Sequence, residues 1–144
     1  MPSFSRKSMS KLRSCDYRLQ ELFLNVVKEY DCTIIQGHRT KEEQDEYYNN
    51  KRSKVQWPNS KHNHSPSLAA DVAPWVNGSI PWPQIPKDSK FIHDTAQFYH
   101  FAGFVLSRAN SLGIDVRWGG DWDSDHNFSD QKFDDLVHFE IVDQ

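Results

Sequence analysis

The chain has 144 residues, of which 37% are hydrophobic and 13% aromatic, and its formal net charge is −3. This length suits one domain, residues 1–144, around one core, and nine Phe, five Tyr and five Trp provide large side chains to bury in it. A mildly acidic balance argues against nucleic acid or an anionic membrane as partner, and no apolar run approaches the length of a membrane span.

In chain order, residues 1–13 carry Arg6, Lys7, Lys11 and Arg13 with no acid, and are expected to form a flexible basic arm. That start lacks the continuous apolar stretch of a signal peptide, so synthesis and folding in a cytoplasm are expected. Residues 16–29 place Leu19, Leu22, Phe23, Val26 and Val27 at helical spacing. Cys32-Thr33-Ile34-Ile35-Gln36 is a β-rich run, followed by a turn at Gly37-His38-Arg39. Thr40, with Glu43 three residues on, opens a second helix through a capping box. Residues 51–66 are polar and form a loop, and residues 68–72 a strand. Asn77-Gly78 marks a tight turn. Residues 89–112 are the longest helix, which Gly113 ends. Short strands at 116–118 and 137–142 flank a polar loop at 119–134. This irregular alternation predicts an α+β fold with a small, mainly antiparallel sheet and flanking helices. Cys15 and Cys32 lack the spacing of a thiolate zinc site and are expected as reduced, buried thiols.

Chemistry concentrates at two places. The segment Ser60-Lys61-His62-Asn63-His64-Ser65-Pro66-Ser67-Leu68-Ala69-Ala70-Asp71 offers imidazoles and a carboxylate, and Asp135-Leu136-Val137-His138-Phe139-Glu140 supplies another carboxylate and another imidazole. Two histidines and an aspartate can hold one zinc ion with a position left for water, and a further carboxylate can serve as a base. The other histidines weigh less: His93 and His100 share a face of the long helix, His38 adjoins Arg39, and His126 lies in an acidic loop.

These residues resemble the family of zinc D-alanyl-D-alanine carboxypeptidases, dipeptidases and L-alanyl-D-glutamate endopeptidases, and in particular its phage endolysin branch. The family pattern is Ser-x-His-x-x-Gly-x-Ala-x-Asp, then an acid three residues before a last His. Ser60-x-His62, Ala69-x-Asp71 and Asp135-x-x-His138 match it. Gln36-Gly37-His38-Arg39-Thr40 resembles the segment that bears a substrate-binding arginine, and the likeness runs from about residue 16 to 142. It implies zinc on His62, Asp71 and His138, Asp135 as the base, and Arg39 on the oxyanion or on a substrate carboxylate. The spacing departs from the pattern. Counting back from Asp71 lands on His64, whereas the Ser-x-His start selects His62 with a two-residue expansion at Ser65-Pro66. His62 fits better; His64 then stands behind the ligands or on the substrate side. A regular strand would point 135 and 138 oppositely, so Asp135 is expected in the loop just before the last strand.

The resemblance implies a zinc-dependent endopeptidase that cuts the L-alanyl-D-glutamate bond of peptidoglycan stem peptides. It is expected to act as a monomer on the wall after release from the host cytoplasm. A D-alanyl-D-alanine carboxypeptidase or dipeptidase is the alternative, and a non-catalytic zinc-stabilised binding module a third. Finally, Asp121-Trp122-Asp123-Ser124-Asp125 spaces oxygen ligands as calcium loops do, although His126 and Lys132 stand where an EF-hand needs Gly and Glu. A calcium ion there is a subsidiary expectation.

Overall fold

The computed structural model describes residues 2–130 and 134–143; Lys132 lies outside them. Its helices are α1 (Arg6–Arg13), α2 (Tyr17–Val27), α3 (Lys41–Asn49) and α4 (Ser89–Leu112), and its strands β1 (Cys32–Gln36), β2 (Ala69–Pro74), β3 (Val116–Trp118) and β4 (His138–Ile141). The strands form one sheet in the order β1-β2-β4-β3, each neighbouring pair antiparallel. The expected α+β class and antiparallel sheet are therefore found.

Local chemistry explains the boundaries. Asp16, Thr40 and Asp88 cap α2, α3 and α4 by accepting backbone N–H groups, and Thr40 and Glu43 form the expected capping box. Gly113 ends α4 in the left-handed conformation, at φ 71°. Val76 and Ser79 close the turn at Asn77-Gly78.

One face of the sheet carries the core. Ala70 and Val72 of β2, and Phe139 and Ile141 of β4, meet Leu19, Leu22, Phe23 and Val26 of α2 and Phe101, Ala102 and Val105 of α4. Phe139 makes edge contacts with Phe23 and Phe101. Strand alternation sends Asp71, His138 and Glu140 to the opposite face. Cys15 and Cys32 are free, buried thiols; burial pushes Cys15 up to about 12, which suppresses its thiolate.

The basic N-terminal stretch differs from the arm that its charge suggested. Residues 6–13 are helical because the helix has one inward side: Leu12 is fully buried. Ser8 Oγ accepts the Ile34 N–H, and Ser14 Oγ accepts the His38 N–H. A Cβ at Gly37 would lie 2.3 Å from the Lys11 carbonyl oxygen and 2.4 Å from Ser14 Oγ, so glycine permits α1 to pack here. Arg6, Lys7 and Arg13 coexist with this docking because they are exposed, while Lys11 is half-buried.

Candidate metal centre

Asp71 and His138 are direct cross-strand partners in the β2–β4 ladder. Their side chains are held side by side by backbone register, without a loop in between. His62 arrives from a separate 3₁₀ turn, Lys61–Asn63. Ser60 explains that turn: its Oγ accepts the His62 N–H, and the Asn63 side chain accepts the Ser60 N–H. His62 Nε2 lies 3.2 Å from Asp71 Oδ1, and His138 Nδ1 lies 3.3 Å from the same oxygen. The three donor atoms fall within 4.8 Å of one another. His64 is exposed and stands outside this group.

The remote nitrogen of each imidazole is anchored. His62 Nδ1 donates to the Gly37 carbonyl at 2.8 Å, which leaves Nε2 as the lone-pair nitrogen. His138 Nε2 donates to Glu140 Oε1 at 2.8 Å, which leaves Nδ1. His62 Nε2 and His138 Nδ1 thus face Asp71, and these are the nitrogens that a metal would take in the neutral imidazoles. Glu140 is in turn flanked by Arg117 Nη2 at 2.9 Å and Lys61 Nζ at 3.5 Å. Burial pushes Glu140 up, but hydrogen bonds from His138 and Arg117 outweigh it and hold the carboxyl at about 2. Burial likewise pushes His138 down; hydrogen bonds with Asp71 and Glu140 and the charges of Asp71 and Asp135 prevail and raise it to about 9. Asp71 is held well below the carboxylate range, because both imidazoles outweigh its burial.

Asp135 sits in the loop before β4, as strand geometry requires, with Oδ2 4.0 Å from His138 Nδ1. Its N–H donates to the Gly119 carbonyl at 2.9 Å, and its own carbonyl accepts the His138 N–H. A Cβ on Gly119 would fall 2.2 Å from the Asp135 carbonyl oxygen, so the bare backbone of Gly119 lets Asp135 reach the site. Burial and the negative charge of Asp71 raise the Asp135 pKa.

Arg39 Nη2 faces Asp71 Oδ2 at 3.8 Å, and Nη1 donates to Gln44 Oε1 at 3.0 Å. The Arg39 Nε is buried without a hydrogen-bond partner. Gln44 is fully buried and ties three pieces together: it accepts from Arg39 and Asn63 and donates to Ser53 Oγ and the Val55 carbonyl. Arg39, His62, His138, Asp135 and Glu140 border a cleft of about 420 Å³ that Trp122 also lines.

Sequence reasoning did not single out Glu140 or Gln44. Glu140 was detectable by its two-residue spacing from His138 on a strand, which places both on one face. Gln44 carried no such signal, because its role depends on three segments meeting. His38 contributes backbone contacts rather than an imidazole partner for the ligands: its N–H goes to Ser14 and its carbonyl to Gln36. In the acidic loop, Asp121, Asp123 and Asp125 bring carboxylate oxygens within 4.8 Å. Asp121 Oδ2 accepts the His126 N–H, while its buried Oδ1 has no hydrogen-bond partner.

The sequence and the fold are both similar to those of known peptidases. The backbone matches the crystal structure of the Serratia marcescens L-Ala D-Glu endopeptidase ChiX with a TM-score of 0.69 at 19% identity, over 98% of this chain and 91% of that one. The sequence is 28% identical over 130 residues to the L-alanyl-D-glutamate peptidase of Escherichia phage T5, covering 89% of this chain and 87% of that protein. The family model for phage L-alanyl-D-glutamate peptidase matches residues 2–142, and the chain belongs to that family.

Proposed function

We propose that the chain is a zinc-dependent peptidoglycan endopeptidase that hydrolyses the L-alanyl-D-glutamate bond of stem peptides. One observation carries the mechanism: two imidazole nitrogens and the Asp71 carboxylate converge within 4.8 Å, and both imidazoles border a cleft that Asp135 and Arg39 also line. The donor set fits zinc, which takes histidine nitrogen and carboxylate oxygen and keeps an open position in catalytic sites. His62, Asp71 and His138 would hold the ion. When bound, zinc supplies Lewis-acid activation of water near neutral pH.

The remaining chemistry belongs to the chain. Asp135 takes the proton lost by the attacking water and returns it to the leaving amine. Its raised pKa suits a group that must both accept and release a proton. Arg39 opposes the negative charge that develops on the scissile carbonyl oxygen. Its position is set by Gln44 and by the Tyr47 ring, 4.3 Å from the guanidinium carbon. Glu140 and the Gly37 carbonyl orient the imidazoles and touch no reacting atom.

Family membership supports the choice of bond over the D-alanyl-D-alanine alternative. Asp135 argues against a purely structural metal module, which needs no base. We further infer action as a monomer, on the wall, after release from the host cytoplasm; no described helix is long and apolar enough to cross a membrane. The acidic loop offers calcium three carboxylates and one unpartnered oxygen of Asp121; calorimetric heat on adding calcium to zinc-loaded protein tests that reading, and no heat dismisses it. The main test is mass spectrometry of digested walls. New D-glutamyl amino termini are expected, lost in Asp135→Asn with zinc retained; released D-alanine instead would overturn the assignment.

A further inference from the structure

The end of α3 does more than stop a helix. After the C-cap Asn50, Lys51 adopts φ 60°, a left-handed conformation that is costly for a residue with a Cβ. The Lys51 N–H donates to the Tyr48 carbonyl at 3.1 Å, and the Arg52 N–H to the Tyr47 carbonyl at 2.8 Å. This is the paired bonding of a Schellman motif, in which the second residue beyond the cap packs on the last turn. Here that residue is Arg52, and its guanidinium carbon lies 4.4 Å from the Tyr47 ring centroid. Downstream, Gln44 holds Ser53 Oγ at 2.9 Å and the Val55 carbonyl at 2.7 Å. Arg52 is thus fixed from both sides although its side chain is exposed.

Among the described residues, no carboxylate pairs with Arg52 within 4.0 Å. The same Tyr47 ring also carries the Arg39 guanidinium, 4.3 Å away. Two cations on one ring repel each other unless an anion joins them. Arg52 borders the metal-site cleft together with Lys54 and Lys61. A planar, preorganised guanidinium with free donors is suited to a carboxylate.

We propose that Arg52 is a specificity residue that binds the free carboxylate on the glutamyl half of the substrate. This rests on the L-alanyl-D-glutamate reading above. A D-glutamyl residue has two carboxyl groups, and only one continues a linear peptide. The other lies close to the scissile bond as a carboxylate or, where it is blocked, as an amide. Arg52 distinguishes these two, since an amide carries no charge and replaces one of the two acceptor oxygens of the carboxylate by a donor.

The test uses the full, zinc-loaded chain and two synthetic L-alanyl-D-glutamyl peptides that differ only in that group, carboxylate against carboxamide. The carboxylate is expected to be preferred by about tenfold in kcat/KM, with the difference carried by KM. Arg52→Gln brings the ratio close to one. Arg52→Lys keeps part of it, because a point charge remains without the planar fork. A wild-type ratio near one, or an unchanged ratio in Arg52→Gln, overturns the proposal. Calorimetric binding of the D-glutamyl product peptide, as acid and as amide, needs no turnover. Arg52-dependent preference for the acid, in a protein that cuts no L-alanyl-D-glutamyl bond, retains the clamp and dismisses the reaction. Preference that survives Arg52→Gln dismisses the clamp and leaves the reaction standing.

Discussion

Glu140 is the most informative position to perturb, because it lies outside the family pattern yet controls a predicted ligand. It accepts the His138 Nε2 proton at 2.8 Å, is 7% exposed, and is the common partner of Arg117 and Lys61. Removing the carboxylate frees the His138 ring to rotate and to change tautomer, and lowers the basicity of Nδ1. It also leaves two cations facing each other at one edge of the cleft. Groups that orient a metal-bound histidine contribute tenfold to a hundredfold in metal affinity, about 1.4 to 2.8 kcal/mol. Glu140→Gln keeps the shape and an acceptor but loses the charge, and is expected near the lower bound. Glu140→Ala loses both and is expected near the upper bound. Competition against a chromophoric chelator measures zinc affinity, with circular dichroism confirming that each variant is folded. Zinc affinity equal to wild type in both folded variants would refute the idea that Glu140 orients His138.

Three further outcomes are expected. His62→Ala should abolish stoichiometric zinc binding and His64→Ala retain it, measured by metal analysis after gel filtration; the reverse would move the ligand to His64. Gly119→Ala forces a Cβ to within 2.2 Å of the Asp135 carbonyl oxygen, so kcat should fall at least tenfold, about 1.4 kcal/mol of transition-state stabilisation, while zinc stays bound. In metal-free protein His138 is raised from 6.5 to about 9, so its contribution to stability is fully present below pH 6.5 and is lost as pH rises through 9. Zinc takes the neutral imidazole, so binding near pH 7.5 should release close to one proton from His138, and apparent affinity should rise with pH up to about 9. Calorimetry in buffers of different ionisation enthalpy counts that proton.

Local signals were legible wherever the deciding interaction was local. The capping box of Thr40 and Glu43, the glycine at 113 and the helical spacing along residues 16–29 and 89–112 each act within a few residues, and they place α2, α3 and α4. Alternation along the strand also sufficed to put Asp135 in the loop before β4. The arm expected at residues 1–13 shows the limit. Its charges dominate the composition, but Leu12, Ser8 and Ser14 dock the helix on β1 and Gly37, and that surface exists only once the sheet has formed.

The amino-acid sequence by itself determined the residue types of the site, the candidate ligands and their two-part arrangement, since Ser-x-His, Ala-x-Asp and Asp-x-x-His are short-range patterns. It left His62 and His64 as competitors, because one-dimensional spacing cannot measure a loop. Tertiary structure decided which imidazole approaches Asp71: the Ser60-capped turn and the Gly37 carbonyl turn His62 inward and leave His64 outside. It also decided the partners that carry no motif. Glu140 faces His138 through strand pleat, Gln44 joins segments distant in sequence, and Arg52 reaches the cleft through the end of a helix. Each depends on contacts between separated segments, which form only when the chain folds.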